Sequence, residues 1–148
     1  MEEASQPNII GARAALESVY HAFNYASIDL FKMVWMDDPL IRLNNPLGGI
    51  VEGLAGITKV YDRIFNGPAR VWVEFYDIVE YQLGESAVVF AGRERGDFEK
   101  NGQILQLDIR TSRVFGYRDG HWGQVHHHGS ITDSILLDRY RHAVTDND

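Results

Sequence analysis

The sequence predicts an α+β fold, in which N-terminal helices cover one face of an antiparallel sheet. Three helical patterns come first, with apolar residues three and four positions apart. Strand patterns then fill the stretch from Arg70 to Ile131, and turn dipeptides separate them as in a meander. Because helices and strands are segregated along the chain, helices layered on one sheet face are the expected architecture.

Composition bounds the class of protein. With 148 residues and neither repeats nor a linker, the chain (1–148) is most simply one domain. A net charge of −7, without any Lys- or Arg-rich run, argues against nucleic acid and membranes as partners. The absence of cysteine excludes disulfides and thiolate metal sites. No export signal or apolar span is visible, so a cytoplasmic location is expected.

The helices are predicted in order along the chain. Residues 1–7 are expected to form a loose tail before an amphipathic helix that starts at Asn8. A second helix follows Ser27, a suitable N-cap, and should stop near Asp38 because Pro39 disfavours helical geometry there. A short hairpin within residues 40–51 leads to a third helix that ends at an Asn-Gly-Pro sequence, residues 66–68. A final helix is predicted over residues 132–143.

Arg113 is the most informative residue of the predicted sheet. Its strand shows a period of two, which indicates one buried face. The other residues of that face are Leu105, Leu107, Ile109, Thr111, Phe115 and Tyr117. A buried charge is costly unless it is paired or bound to something. The pattern therefore predicts a pocket at Arg113.

Three segments resemble a known superfamily. They are residues 48–53 (GGIVEG), 111–115 (TSRVF) and 118–130 (RDGHWGQVHHHGS). With the order of elements, they resemble the nuclear transport factor 2 superfamily, and within it the SnoaL-like proteins and the association (hub) domain of calcium/calmodulin-dependent kinase II. The resemblance implies a cone-shaped, cystatin-like fold with a pocket between three helices and a curved, mostly antiparallel sheet. Some members of the superfamily are isomerases, dehydratases or cyclases, and others only bind or assemble.

The resemblance to ketosteroid isomerase implies three catalytic positions. The carboxylate base would stand just before Pro46, but this chain has Asn45, whose amide cannot abstract a proton. The oxyanion partner would be Tyr20, and Arg113 lies near the second acid position. Steroid isomerisation is therefore disfavoured, although Asn45 is still expected in the ligand site. Trp35 could also line the cleft, but aromatic residues at helical spacing usually belong to the core.

Two arginines resemble pocket arginines of the hub domain in their positions. Arg93 and Arg113 could hold a small carboxylate through paired N–H donors. The alternative is an internal salt bridge, with Glu74, Glu94, Asp97 or Asp108 as partner. For Arg93, which lies in a charged stretch, the salt bridge is slightly favoured. For Arg113, on an apolar strand face, the pocket is favoured.

The triple histidine, residues 126–128, lies inside the last strand. Alternation places His126 and His128 with Trp122 on one face and His127 on the other. A two-residue loop at Asp119-Gly120 would pair Arg113 with His126. A three-residue loop with a glycine bulge would instead bring His127 to the pocket side. The hub resemblance favours the second register and therefore His127.

These features lead to two functional hypotheses. In the first, a SnoaL-like protein binds a small polar or anionic molecule, with Tyr20 and His127 handling protons and Arg113 as anchor. In the second, a non-catalytic, hub-like domain assembles or senses a ligand. Both predict at least a homodimer, because Trp122 on the outer sheet face would leave apolar surface to cover. No cofactor is expected, and too few ligands converge for a metal site.

Overall fold

The computed structural model describes residues 2–145, and its elements follow the predicted order. The helices are α1 (Ile9–Asn24), α2 (Ile28–Val34), α3 (Gly53–Phe65) and α4 (Ser134–Thr145). The strands are β1 (Arg42–Asn44), β2 (Ile50–Glu52), β3 (Arg70–Gln82), β4 (Ala87–Lys100), β5 (Gln103–Arg118) and β6 (His121–Ser130). Helices α1 to α3 pack on one face of a curved, mostly antiparallel sheet, so the α+β prediction is confirmed.

The sheet has the strand order β2-β1-β6-β5-β4-β3. The four long strands form the predicted meander, and the predicted short hairpin is β1 and β2. The hairpin joins the same sheet because β1 pairs in parallel with β6, which the sequence did not predict. Leu43 lies opposite His127 in this pairing. The loop after β1 is therefore brought beside the triple histidine.

The predicted hairpin turns are observed where both central residues can adopt a left-handed backbone. Asn101 and Gly102 have φ angles of 55° and 79°, and Asp119 and Gly120 have φ angles of 53° and 84°. Two successive positive φ angles are the requirement of a two-residue type I′ turn, which Asn-Gly and Asp-Gly meet best.

The N-terminal segment is ordered against the rest of the protein, so the expected loose tail is wrong for residues 2–7. A 3-10 turn runs over Glu2–Ser5, and Ala4 is fully buried. The carbonyl oxygen of Gln6 accepts a 2.8 Å hydrogen bond from the indole nitrogen of Trp122. Gly11 permits this approach, because a Cβ atom there would stand 2.1 Å from the same oxygen. Residue 1 lies outside the described residues.

Helix α2 ends at Val34, four residues before the predicted stop near Asp38. Trp35 adopts an extended backbone and forms a parallel bridge with Gln124 of β6. The amide of Met36 then donates a 2.9 Å hydrogen bond to the carbonyl oxygen of Gln124. Pairing of Trp35 and Met36 with β6 therefore ends the helix several residues before Pro39.

The predicted C-terminal helix is present as α4. Its residues Tyr140 and Ala143 are buried in a second apolar cluster, which includes Phe98 and Leu107. The main cluster lies between α1, α2, α3 and the other half of the sheet. Among residues 2–145, no helix combines the length and the apolar character that crossing a membrane requires.

Candidate functional site

A small cavity lies between the helices and the inner face of the sheet, with a volume of about 30 Å³. Its polar lining consists of Asn45, Tyr61, Glu94, Arg113, His127 and Tyr140. A cavity of this size holds about two water molecules, whereas pockets for drug-sized ligands measure roughly 300–1,000 Å³. The cavity can therefore enclose a small polar group.

Arg113 projects from β5 into the space beneath α1 and is only 6% exposed. Its Nε donates to the hydroxyl oxygen of Tyr20 at 3.0 Å, and its Nη1 donates to Oε1 of Gln124 at 2.9 Å. Its Nη2 contacts a carboxylate oxygen of Glu94 at 3.3 Å. Burial lowers the pKa of Arg113, but the attraction of Tyr20 and Glu94 outweighs it and the net direction is upward. The guanidinium therefore stays charged and is already held on three sides.

Glu94 on β4 is the buried counter-ion, at 4% exposure. Its second carboxylate oxygen accepts a 2.6 Å hydrogen bond from the hydroxyl of Thr111. Glu94 shares its strand face with the buried residues Phe90 and Phe98. This is the same alternation that singled out Arg113 and could have identified Glu94 as a site residue. From the sequence, Glu94 was predicted only as one of four possible salt-bridge partners.

Tyr20 lies on the far side of Arg113 and is not part of the cavity lining. The Arg113 guanidinium carbon stands 4.8 Å from the centroid of the Tyr20 ring, which also stacks on Phe75. Burial raises the pKa of Tyr20 well above its usual value, which the charge of Arg113 partly opposes. The hydroxyl therefore remains protonated and orients the guanidinium.

His127 lines the cavity, is 3% exposed, and has no hydrogen-bond partner at either ring nitrogen among the described residues. Burial lowers the pKa of His127 well below 6.5, and repulsion from Arg113 adds to the shift. The imidazole is therefore neutral at physiological pH, with one N–H donor and one acceptor nitrogen. Most buried polar groups in proteins are hydrogen-bonded, so both ring nitrogens are exceptions, as is the side-chain amide nitrogen of Gln124 among the described residues.

A bulge in β6 brings His127 to the inner face. The turn at Asp119-Gly120 has two residues, yet Arg113 pairs with His127, because Val125 is inserted between the pairs Val114–His126 and Phe115–Gln124. The expected position of His127 is thus observed, but the expected three-residue loop is wrong. The bulge also reverses the predicted face of Trp122, which is buried against α1 at 1% exposure.

Asn45 and Trp35 differ in their placement. Asn45 borders the cavity, and its side-chain oxygen accepts a 3.0 Å hydrogen bond from the amide of Leu47. Trp35 is buried in the main apolar cluster beside Phe31 and does not line the cavity. The alternative interpretation of Trp35 as a core residue is the one that its position fits.

Arg93 lies outside the cavity, which corrects its expected place in the pocket. Its side chain is 62% exposed and forms a 3.1 Å ion pair with Asp77. Successive side chains of a strand point to opposite faces of the sheet. Because Arg93 is next to the inward-facing Glu94 on β4, it points to the outer face. The slightly favoured salt bridge is therefore observed, but its partner is Asp77 and none of the four predicted acids.

The part of the chain that the structure describes contains no group of three or more His, Cys, Asp or Glu side chains arranged to hold a metal ion. The polar groups at the cavity are an ion pair, an amide, phenols and one neutral imidazole.

Comparison with known proteins places the site in a family context. The model of the SnoaL-like domain matches residues 12–134. No relative was found among curated proteins. Solved structures similar to this chain share its fold at low sequence identity.

Three of these structures are representative. The hub homology domain of the kinase CamKII from Chlamydamonas reinhardtii is 21% identical, with a TM-score of 0.67, over 82% of this chain and 96% of that one. A ketosteroid isomerase-like protein from Erwinia carotovora atroseptica is 18% identical, with a TM-score of 0.69, over 82% and 93%. A candidate dehydratase of the NTF2-like family from Streptomyces avermitilis is 13% identical, with a TM-score of 0.71, over 86% and 98%.

Proposed function

Because the chain belongs to the SnoaL-like domain family, we propose that it binds a small polar organic molecule, or the polar end of one, at His127. The observation that carries the proposal is the buried imidazole with two unpartnered nitrogens beside a cavity. Leaving a buried donor or acceptor unsatisfied costs about 1–3 kcal/mol. A ligand with one acceptor and one donor would satisfy both nitrogens at once.

The charges around the cavity favour a neutral polar group over a carboxylate. Arg113 is neutralised by Glu94 at 3.3 Å, and His127 is uncharged. A bound carboxylate would have to share the guanidinium with Glu94, at the cost of two anions close together in a desolvated site. A hydroxyl, carbonyl or amide group meets no such penalty. The small carboxylate expected from the sequence is therefore the less favoured ligand.

The size of the cavity sets the form of the ligand. A volume of about 30 Å³ accommodates a polar head group of a few atoms. Leu47, which borders the cavity, and Tyr140 of α4 are the side chains that a longer ligand would have to displace. Arg141 of α4 donates a 2.9 Å hydrogen bond to the Leu47 carbonyl oxygen, which ties the helix to this loop. The bulk of such a ligand would lie where α4 now covers the site.

The chemistry that this site supports is proton transfer by His127. A neutral imidazole can accept a proton from a bound substrate. The Arg113 guanidinium, whose charge is offset by Glu94, can donate a hydrogen bond to an oxygen on which partial negative charge develops. This combination suits an isomerase, dehydratase or cyclase step. Tyr20 then acts as a positioning residue through its hydrogen bond to Arg113, and Asn45 contributes to ligand binding from the loop after β1.

A thermal-shift panel tests the binding proposal. Small amides, diols and ketones are compared with small carboxylates, using the native protein and His127→Phe. Ligands that bind the folded state raise the melting temperature by mass action. We expect stabilisation by neutral polar molecules that is lost in His127→Phe.

The matched control is His128→Phe, the next residue on the same strand, which is exposed and faces the outer side. It should retain the shifts of the native protein. Equal shifts in the native protein and His127→Phe would reject the role of His127. Stabilisation by carboxylates alone would contradict the preference for neutral polar ligands over carboxylates.

A second candidate function, homo-oligomeric assembly, rests on the outer face of the sheet. Val79 and Tyr81 are each 50% exposed, and cross-strand pairing places them beside Ala91 and Val89, with Val114 next to Val89. These five residues form an outer apolar patch. A contiguous apolar surface of this kind is often an interface between subunits.

Light scattering of the native protein and of Val114→Asp tests this assembly. A charge in the outer apolar patch should convert a dimer or larger oligomer to monomer, because an interface cannot easily bury an unpaired carboxylate. Leu40→Asp is the control, since Leu40 is 77% exposed and lies outside the sheet. A native protein that is monomeric at micromolar concentration would refute the candidate.

A further inference from the structure

An open groove of about 720 Å³ lies at the C-terminal end of α1. The residues that matter in its lining are Tyr25, Arg70, Trp72, Asp97, Glu99 and Ile104. It shares a wall with the cavity at His127, formed by Phe23 and Ile64, but it opens to solvent on the opposite side of that wall. Its volume lies within the range of small-molecule sites, which is roughly 300–1,000 Å³.

Two aromatic rings are presented to solvent in this groove. Trp72 is 51% exposed and Tyr25 is 64% exposed, and their ring centroids lie 5.8 Å apart in an edge-to-face arrangement. The indole and phenol rings offer flat faces of negative electrostatic potential.

The backbone beneath these rings is fixed by unusually specific contacts. The Asn24 side chain accepts a 2.8 Å hydrogen bond from the Val73 amide and donates one of 2.8 Å to the Val73 carbonyl oxygen. Ala26, on the other side of Tyr25, adopts a left-handed φ of 52°, which is strained for a non-glycine residue. Tyr25 is thus held between a clamped residue and a strained one, immediately beside Trp72. The aromatic pair is organised before any ligand arrives.

On the same face of the sheet, the neighbouring cross-strand pairs of β3 and β4 combine a ring or a carboxylate with an arginine. Arg95 lies 4.2 Å from the centroid of the Tyr76 ring and forms a 3.2 Å ion pair with Glu74. Arg93, two residues before Arg95 on β4, forms an ion pair with Asp77. An aromatic face, a carboxylate and a cation are therefore combined on β3 and β4.

The cross-strand pair at the groove, Trp72 and Asp97, has the ring and the carboxylate but no cation. Trp72 lies directly opposite Asp97, and Asp97 makes no ion pair with any residue that the structure describes. Arg70 lies opposite Glu99, so the groove carries two acids and one base. We propose that this groove binds an organic cation, an alkylammonium or similar group, placed over Trp72 with Asp97 as its counter-ion.

Charge selects this ligand class. The groove has an excess of one acidic side chain, and the whole chain carries a net charge of −7, so anions are repelled at short and long range. A purely apolar ligand would use the rings but leave Asp97 without a partner. A quaternary or alkyl ammonium uses both, which is the arrangement that aromatic sites employ for such cations.

Tryptophan fluorescence provides the test, because the chain has three tryptophans and the other two, Trp35 and Trp122, are 2% and 1% exposed. The probe is choline, and its control is the uncharged isostere in which a tert-butyl group replaces the trimethylammonium group. We expect saturable, millimolar quenching by choline and none by the isostere. Asp97→Asn should weaken binding about two- to fivefold, as expected for one exposed charge contact.

Because Trp72→Leu lacks the fluorophore, ligand-observed NMR is used to compare choline binding by the variants. Trp72→Leu should abolish choline binding, whereas Met33→Leu, at a position of α2 that is 57% exposed and lies outside the groove, should not. Equal binding of choline and its isostere, or unchanged binding by Trp72→Leu, would overturn the proposal. A change of Trp72 fluorescence with protein concentration alone would show instead that a second copy of the chain occupies the groove.

Discussion

Arg113 and His127 lie directly opposite each other on β5 and β6, and each is less than one-tenth exposed. The guanidinium is charged, and protonation of the imidazole would place a second cation beside it in a desolvated site. Neutrality of His127 is therefore a condition of the folded state. The imidazole is therefore neutral throughout the physiological pH range, with one N–H donor and one acceptor nitrogen.

Protein stability should fall as the pH drops below about 6.5. The pKa of His127 is lowered in the folded state by burial and by Arg113, so the unfolded chain binds this proton first. The free energy of unfolding should therefore be lower at about pH 5 than at about pH 6.5, because the unfolded imidazole takes up a proton that burial and Arg113 disfavour in the folded state. Urea unfolding at both pH values measures it. His127→Phe should lack this component and His128→Phe should keep it; a native-like slope in His127→Phe would contradict the assignment.

Breaking the buried ion pair from one side should be more damaging than removing both charges. Arg113→Leu leaves the Glu94 carboxylate buried without its counter-ion, at a cost of about 3–5 kcal/mol. The double variant Arg113→Leu/Glu94→Leu should recover part of that loss, because no unpaired charge remains. Chemical denaturation of the two single variants and the double variant measures the coupling. Additive losses would mean that the two side chains do not interact energetically.

Helix α4 should control the size of the cavity through Tyr140. Tyr140 is 4% exposed and contacts Phe98 at a ring-centroid distance of 5.1 Å. Tyr140→Ala should cost about 3–5 kcal/mol, as for other large aromatic residues in cores. It should also let larger members of the ligand panel stabilise the protein. Ile135→Ala, at a position of the same helix that is 66% exposed, should do neither; enlarged ligand range in that variant would argue against Tyr140.

The N-terminal segment should contribute measurably to stability. A Cβ atom at Gly11 would stand 2.1 Å from the Gln6 carbonyl oxygen and 2.8 Å from Cδ1 of Trp122. Gly11→Ala should therefore cost about 1–3 kcal/mol by overpacking, although alanine favours helix. Gly56→Ala in α3 is the matched control, because its nearest neighbour is a Val51 methyl group at 3.3 Å. Thermal unfolding of the two variants should separate them, and equal stabilities would mean that residues 2–7 pack loosely.

Local chemistry was sufficient for most of the fold. The helical periodicity, the turn dipeptides at Asn101 and Asp119, and the alternation along β5 each depend on residues close in sequence. The parallel pairing of β1 with β6 was not predictable in this way, because it joins residues more than eighty positions apart. The packing of residues 2–7 against the protein was not predictable for the same reason, because Trp122, which donates a hydrogen bond to Gln6, is distant in sequence.

The chain by itself determined which strand face is buried and that Arg113 belongs to it, because period-2 alternation is a property of the strand alone. Only the tertiary structure decided what surrounds that charge. A single inserted residue, Val125, changes which side chains of β6 face inward, and parity places Glu94 inside but Arg93 outside. A one-residue shift reverses every later side chain of a strand, so the site depends on pairing energies that no single segment contains.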